Sequence, residues 1–207
     1  GLVVQIKEGT RGRYPTSPSA FTSATLAHEY SLNTRHTDER TLRMTNNNPA
    51  DIIQAQCQAL ADRLQAKSMR LVTAESCTGG MIAAVCTDLA GSSQWFECGY
   101  VTYSNAAKHR DLGVPEHILN AHGAVSEETV LAMTAGAARY GDVAVSVSGI
   151  AGPGGAVPGK PVGTVWIACG NQQHQISELH CFDGDRSQVR EQTVHAALTL
   201  LIKYMDK

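Results

Sequence analysis

The sequence predicts an α/β protein, a three-layer α/β/α sandwich built on a mixed sheet. Three observations carry that reading. Short apolar runs of strand length alternate with segments whose apolar residues recur at helical spacing. Glycines and N-capping side chains punctuate the boundaries between them. Near the C-terminus two runs are separated only by Asn171-Gln-Gln-His174, a hairpin signal that adds antiparallel pairing to a chain otherwise alternating strand and helix.

Residues 1–43 come first and read as an arm. They are rich in Arg, Ser and Thr, contain Pro15 and Pro18, and lack the apolar density that offsets chain entropy. Glu8, Glu29, Asp38 and Glu39 argue against an organellar transit peptide, which is poor in acids. The functional domain is expected to span 44–207, beginning at Met44, with the arm dispensable for catalysis.

Within that domain Asn48 followed by Pro49 is a helix start signal, and Ile52, Ile53, Cys57, Leu60 and Leu64 then recur at helical spacing. A strand is expected at 70–74, a helix at 79–89 and a second strand at 96–104. Helical segments follow at 105–112 and 115–121, and Ser126 opens another that runs to Tyr140 before Gly141 stops it. Residues 143–150 form an apolar strand, 163–169 and 175–182 the hairpin. A long last helix starts after Gly184-Asp185 and buries Val189, Thr193, Ala196, Ala197, Leu200 and Leu201.

Composition narrows the function classes. A net charge of -2 over 207 residues, with a pI near 6.5, leaves no electrostatic footprint for nucleic acid or an anionic membrane, so the expected partner is a small molecule or another protein. No apolar run reaches the ~18–20 residues of a membrane span. The six cysteines lie singly in apolar segments, with no C-x-x-C pair, and read as reduced core residues of a cytoplasmic protein. No H-E-x-x-H or close Cys/His group supports a metal site.

The residues that carry chemistry begin at Thr73-Ala-Glu-Ser-Cys-Thr-Gly-Gly80, where an apolar run ends in a hydroxyl-rich turn closed by glycines and followed by a helix. A side chain there faces backbone N–H groups able to stabilise negative charge, which makes Ser76 a candidate nucleophile. The plain alternative is that Ser76 or Thr78 only caps the helix. Cys77 shares the helix N-terminus, a setting that can lower a thiol's pKa, against the reading of a small buried apolar residue. A second glycine-rich segment, Gly154 to Lys160, matches G-x-x-x-x-G-K, but Pro161 stands where a P-loop needs Ser or Thr for magnesium. It is better read as a rigid loop, with Gly149, Gly152, Gly154 and Gly155 letting backbone approach a ligand.

A serine nucleophile needs a base. The histidines lack a G-x-S-x-G elbow or an acid partner in sequence, so a Ser-His-Asp triad has no support beyond their presence. In Val101-Thr-Tyr-Ser-Asn-Ala-Ala-Lys108 a strand gives way to a helix, bringing Tyr103 and Lys108 to the same end of the sheet as Ser76. A desolvated, neutral lysine can deprotonate serine, and a tyrosine hydroxyl can orient the proton. The competing reading makes Lys108 a solvated helix residue.

Taken together, Ala74-Glu-Ser-Cys-Thr-Gly-Gly80, Gly91-Ser-Ser, Val101-Thr-Tyr-Ser-Asn105, His122-Gly-Ala-Val-Ser-Glu127, Ser148-Gly-Ile-Ala-Gly-Pro153, Lys160-Pro-Val-Gly-Thr-Val-Trp166 and Phe182-x-Gly-Asp-Arg186 closely resemble the CinA C-terminal domain family, the nicotinamide-nucleotide amidases. The blocks keep the family's order and span residues 47–205. The resemblance implies the stand-alone form, without the molybdopterin-binding-like domain of longer members. It implies hydrolysis of the carboxamide of nicotinamide mononucleotide to nicotinic acid mononucleotide and ammonia, a step of pyridine nucleotide salvage. The family's Ser-Tyr-Lys machinery falls on Ser76, Tyr103 and Lys108: Ser76 attacks, Lys108 takes its proton and passes one to ammonia, and Tyr103 positions the pair. Backbone N–H groups of Cys77, Thr78, Gly79 and Gly80 hold the oxyanion in that scheme. No metal or organic cofactor is implied, and a homo-oligomer, a homodimer in form, is. Arg186 and Arg190, one turn apart at the start of the last helix, are the candidates for the 5′-phosphate, against the reading of an exposed basic pair. Two other functions stay open from sequence: a non-catalytic nucleotide-binding or regulatory module, and a serine amidase acting on another small amide.

Overall fold

Asn48 accepts a hydrogen bond from the Ala50 amide and Pro49 occupies the first turn, so α1 begins where the sequence signals it and runs Pro49–Ala66. The computed structural model describes residues 48–207; the expectations for the 1–43 arm and for the start at Met44 lie outside the described residues. After α1 come β1 (Leu71–Glu75), α2 (Met81–Asp88), a 3₁₀ turn at Ser92–Gln94, β2 (Phe96–Val101), α3 (Asn105–Leu112), α4 (Glu116–His122) and α5 (Glu127–Ala137). The chain finishes with β3 (Val143–Gly149), β4 (Thr164–Gly170), β5 (Gln175–Cys181) and α6 (Arg186–Met205).

The sheet order is β2-β1-β3-β4-β5. β1 lies parallel to both β2 and β3, while β3–β4 and β4–β5 pair antiparallel, which makes the sheet mixed as the hairpin signal requires. Period-two alternation divides the core between its faces. Leu71, Val143, Val145 and Val147 join the cluster under α1, α2 and α6. Val72, Ala74 and Ala144 join a smaller cluster with Leu112, Leu119, Met133 and Ala137 of α3, α4 and α5. On that second face Ser146 donates to the Val130 carbonyl of α5 at 2.7 Å, so a polar residue is buried without an unmet bond.

The boundaries differ from the sequence reading where a cap or a side chain intervenes. β2 stops at Val101 instead of residue 104, because Ser104 turns out of the strand to cap α3, accepting from the Ala107 amide at 3.1 Å. α5 ends at Ala137, three residues early, its last turn loosening ahead of Gly141. The long α6 opens on a capping box in which Asp185 accepts from the Gln188 amide and Gln188 accepts from the Asp185 amide.

Register aligns the ends of the three parallel strands. Glu75 pairs with Val101 on β2 and Val147 on β3, and the chain leaves β1 for neighbours on opposite sides. In open α/β sheets the crevice at such a point, beyond the carboxyl ends of the strands, is where ligands bind.

Candidate active site

Ser76 is the first residue after β1, and the sheet continues to hold its backbone. Its amide donates to the Val147 carbonyl at 3.1 Å, while the Thr102 amide donates to the Glu75 carbonyl at 2.9 Å. The chain then turns through Cys77, Thr78 and Gly79 into α2, with Gly80 at φ 100°, a left-handed conformation that a Cβ would strain. Ser76 is buried at the end of the central parallel strand.

Neither Ser76 nor Thr78 caps α2, in contrast to the plain reading of the sequence. The cap is Glu75, a carboxylate with 0% exposure. Its Oε2 accepts from Thr78 Oγ1 at 2.6 Å, the Gly80 amide at 3.0 Å and the Ile82 amide at 3.1 Å, and its Oε1 accepts from the Ala83 amide at 2.8 Å. Sequence reasoning passed over this residue. The usable signal is its place as the only charged side chain in a strand otherwise fit for burial, since a buried carboxylate needs partners close by.

That cap narrows the set of backbone groups open to an oxyanion. The Gly80 amide is committed to Glu75, and the Gly79 amide donates to the Ser76 carbonyl at 3.1 Å. Of the four backbone groups expected to face an oxyanion, the amides of Cys77 and Thr78 alone have no acceptor among the described residues. Gly79 and Gly80 shape the turn instead of donating to a ligand.

Lys108 arrives from β2's side of the crevice. Ser104 fixes the start of α3, and a helical side chain leans toward its helix N-terminus, so Lys108 points back over the residues that precede α3. Its Nζ lies 2.9 Å from Ser76 Oγ, 2.8 Å from the Thr102 carbonyl and 3.4 Å from the Tyr103 carbonyl. The side chain is 0% exposed, which excludes the solvated-helix reading. Burial penalises the ammonium and brings its pKa down to about 8, only weakly opposed by the Cys77 thiol. A neutral amine has two N–H groups and one lone pair; two carbonyls and one hydroxyl surround this nitrogen.

Tyr103 meets the pair by its backbone. Its carbonyl faces Lys108, but its ring is 60% exposed and its hydroxyl accepts from Arg186 Nη2 at 2.8 Å, not from Lys108 or Ser76. Arg186 Nη1 donates to the Gly152 carbonyl at 2.8 Å, so this arginine joins Tyr103 to the glycine-rich loop. Arg190 points into the nucleophile turn, Nε donating to the Cys77 carbonyl at 3.2 Å and Nη2 to the Thr78 carbonyl at 2.9 Å. Both arginines therefore converge on the site, and neither belongs to an idle surface pair.

The glycines behave differently from one another. At Gly149 a Cβ would stand 2.6 Å from Val165 Cγ2 and 2.8 Å from the Thr164 carbonyl, so the close approach expected there is to β4, not to a ligand. Gly152 is pressed against Val162 and offers its carbonyl to Arg186, while Gly154 faces open space. Cys77 is 5% exposed and burial pushes its thiol up to about 11, so it is an inert core group in spite of its helix-end position. No histidine among the described residues hydrogen-bonds Ser76; His195, for example, is bound to Gln56. A cleft of about 520 Å³ lies elsewhere, between α1 and α6, and none of Ser76, Tyr103 or Lys108 lines it.

Among the described residues no helix is long and apolar enough to cross a membrane, and no group of three His, Cys, Asp or Glu side chains is placed to hold a metal ion. All six cysteines are unpaired.

The chain is 55% identical over 146 residues to the nicotinamide-nucleotide amidohydrolase PncC of Pseudomonas putida, covering 70% of this chain and 91% of that protein. To the protein of the same name in Escherichia coli strain K12 it is 52% identical over 147 residues, covering 69% and 89%. The fold overlays the crystal structure of the competence damage-inducible protein A (ComA) from Klebsiella pneumoniae with a TM-score of 0.72 at 37% identity, covering 74% of this chain and 97% of that one. Residues 53–205 match the CinA C-terminal domain, and the chain belongs to that family.

Proposed function

We propose that this protein hydrolyses the carboxamide of nicotinamide mononucleotide, releasing ammonia and nicotinic acid mononucleotide, with Ser76 as nucleophile and Lys108 as its base. One observation carries the reading: a fully buried lysine lies 2.9 Å from a serine hydroxyl at the end of the central parallel strand. The substrate class comes from the relatives, two of which bear the name nicotinamide-nucleotide amidohydrolase.

In the neutral enzyme the Lys108 N–H groups point to the Thr102 and Tyr103 carbonyls, and its lone pair accepts the Ser76 proton. Ser76 Oγ adds to the carboxamide carbon. The carbonyl oxygen becomes an oxyanion that the Cys77 and Thr78 amides receive. Lys108, now an ammonium, protonates the departing nitrogen, and ammonia leaves an acyl-Ser76 ester. Water attacks that ester with Lys108 again the base, and the free acid and Ser76 are restored. Tyr103 contributes its carbonyl to the amine and its ring hydroxyl to the orientation of Arg186. Arg190 steadies the turn.

The arginines separate into two roles on this reading. Arg190 is already satisfied by two carbonyls, whereas Arg186 is exposed and retains Nε–H for the 5′-phosphate. The capping box closes the α6 N-terminus itself, so the phosphate contact falls to the side chain. Ammonia release is to be compared for nicotinamide mononucleotide, nicotinamide riboside and free nicotinamide, in the native protein and in Arg186→Ala. The mononucleotide is expected to be the best substrate, and Arg186→Ala to raise its KM by about 10- to 100-fold, the worth of a charged hydrogen bond, while leaving the phosphate-free riboside nearly unaffected. No ammonia from any of the three overturns the activity; an equal effect on riboside and mononucleotide overturns the phosphate role.

A further inference from the structure

We infer that Glu75 is a positioning residue of the reaction, its carboxylate setting the Cys77 and Thr78 amides in place to receive the oxyanion. The inference rests on Ser76 being the nucleophile.

The first argument concerns where negative charge can go. The N-terminal amides of a helix ordinarily offer an anion site. Here those of Gly80, Ile82 and Ala83 all donate to Glu75, within a carboxylate that is itself out of water. The end of α2 thus faces a resident negative group, and charge developing on a substrate carbonyl gains nothing from it. Only the amides immediately after Ser76 remain, and their direction decides how well the oxyanion is held.

The second argument concerns how that direction is fixed. Thr78 is tied to Glu75 through its hydroxyl at 2.6 Å, and the next turn is tied to the same carboxylate oxygen through Gly80 at 3.0 Å. On the other side Arg190 draws the Cys77 and Thr78 carbonyls toward α6. In a trans peptide the N–H points opposite to the carbonyl. With the Cys77 carbonyl turned to Arg190, the Thr78 N–H is turned to the opposite side of the turn. Glu75 and Arg190 therefore grip the same residue from two directions, and neither touches Ser76 Oγ or Lys108 Nζ. Any influence of Glu75 on the rate runs through the turn.

Glu75→Gln tests this. The amide keeps the volume but offers one oxygen instead of two, and its NH₂ is set against a backbone N–H, so at least one α2 amide loses its acceptor. Turnover of nicotinamide mononucleotide is expected to fall by about 100-fold in kcat, the scale of a misplaced oxyanion donor, with KM changed by less than about threefold. Pyridine-3-boronic acid, which forms a tetrahedral adduct with a serine hydroxyl, is expected to bind more weakly in step with kcat. The product nicotinic acid mononucleotide is expected to bind as before. A residue that only supports the fold would lower the melting temperature yet leave kcat per titrated active site and boronate affinity unchanged, and that result overturns the inference. If Glu75→Gln does not fold, Thr78→Val removes one of the four donors while keeping the carboxylate, and unchanged kcat and boronate affinity there overturn it equally. Ser76→Ala run alongside separates the two readings: retained turnover in that variant removes the nucleophile assignment, whereas an inactive Ser76→Ala beside a fully active Glu75→Gln removes only the role of Glu75.

Discussion

Replacing Ser76 by alanine is expected to lower kcat on nicotinamide mononucleotide by about 10⁴-fold or more, the scale of losing the nucleophile from a covalent hydrolase. The fold should survive. Ser76 is held by its amide on Val147 and by the Gly79 bond to its carbonyl, and both are backbone contacts that alanine keeps. The deleted hydroxyl has one side-chain partner, Lys108 Nζ, which retains the Thr102 and Tyr103 carbonyls. Melting temperature and substrate affinity should therefore change little, the stability difference staying near 1 kcal/mol. Ammonia release measured beside a thermal melt separates the two effects. Cys77→Ala is the control, because a buried thiol with a pKa near 11 supplies no thiolate and its loss should leave turnover largely intact. Turnover retained in Ser76→Ala and lost in Cys77→Ala would reverse the assignment.

The second large effect lies at Lys108, and it has opposite signs for activity and stability. Lys108→Arg keeps a cation but supplies no neutral nitrogen near pH 7, and Lys108→Met supplies neither; both are expected to lose about 10³-fold or more in kcat. In the native protein activity should rise as pH passes through about 8 and level off above it, since on the proposed mechanism the deprotonated amine is the working form. Stability follows the same group. Its pKa is about 8 when folded and 10.5 by its ordinary value, so below pH 8 the folded state bears the full cost of a buried ammonium. That cost is about 3 kcal/mol at 1.36 kcal/mol per pKa unit. Between pH 8 and 10.5 the unfolded chain binds the proton that the folded protein has released, and stability rises with pH. Lys108→Met removes the penalty, offset by the two carbonyls it leaves without a donor. It should be inactive with a melting temperature at pH 7 equal to or above that of the native protein. An active arginine variant, or a flat pH profile, would place the base elsewhere.

The order and type of the described strands and α-helices were legible, most sharply where a boundary carries a local signal: Asn48-Pro49 for α1, Ser104 for α3, Ser126 for α5, Asp185 for α6. The approach of Ser76 and Lys108 was legible for a related reason. Ser76 lies just past the end of β1 and Lys108 in the first helix after β2, and parallel neighbours bring those strand ends together. What sequence could not show was the direction of individual groups. Tyr103 reads as a hydroxyl for the catalytic pair, yet the turn into α3 presents its carbonyl and sends the ring to Arg186. Arg190 reads as a phosphate ligand, yet α6 crosses the nucleophile turn from 113 residues away and lays the guanidinium on two carbonyls. Gly149 reads as a place for a ligand, and the neighbouring strand takes that space. Glu75 was hidden because three of its four partners are backbone amides, and backbone amides have no letter in a sequence.

The contact from Arg190 to Cys77 and Thr78 also sets an order of events during synthesis. Ser76, Tyr103 and Lys108 emerge from the ribosome well before the last helix does. On the proposed mechanism, a nascent chain that has β1, β2 and α3 but not α6 holds Ser76 Oγ and Lys108 Nζ and lacks the clamp that settles the turn around them. α6, the longest of the described helices, also covers the larger core cluster through Val189, Val194, Leu198 and Leu201. On the proposed mechanism a chain cut before Arg186, which lacks the Arg190 clamp, is expected to release no ammonia from nicotinamide mononucleotide.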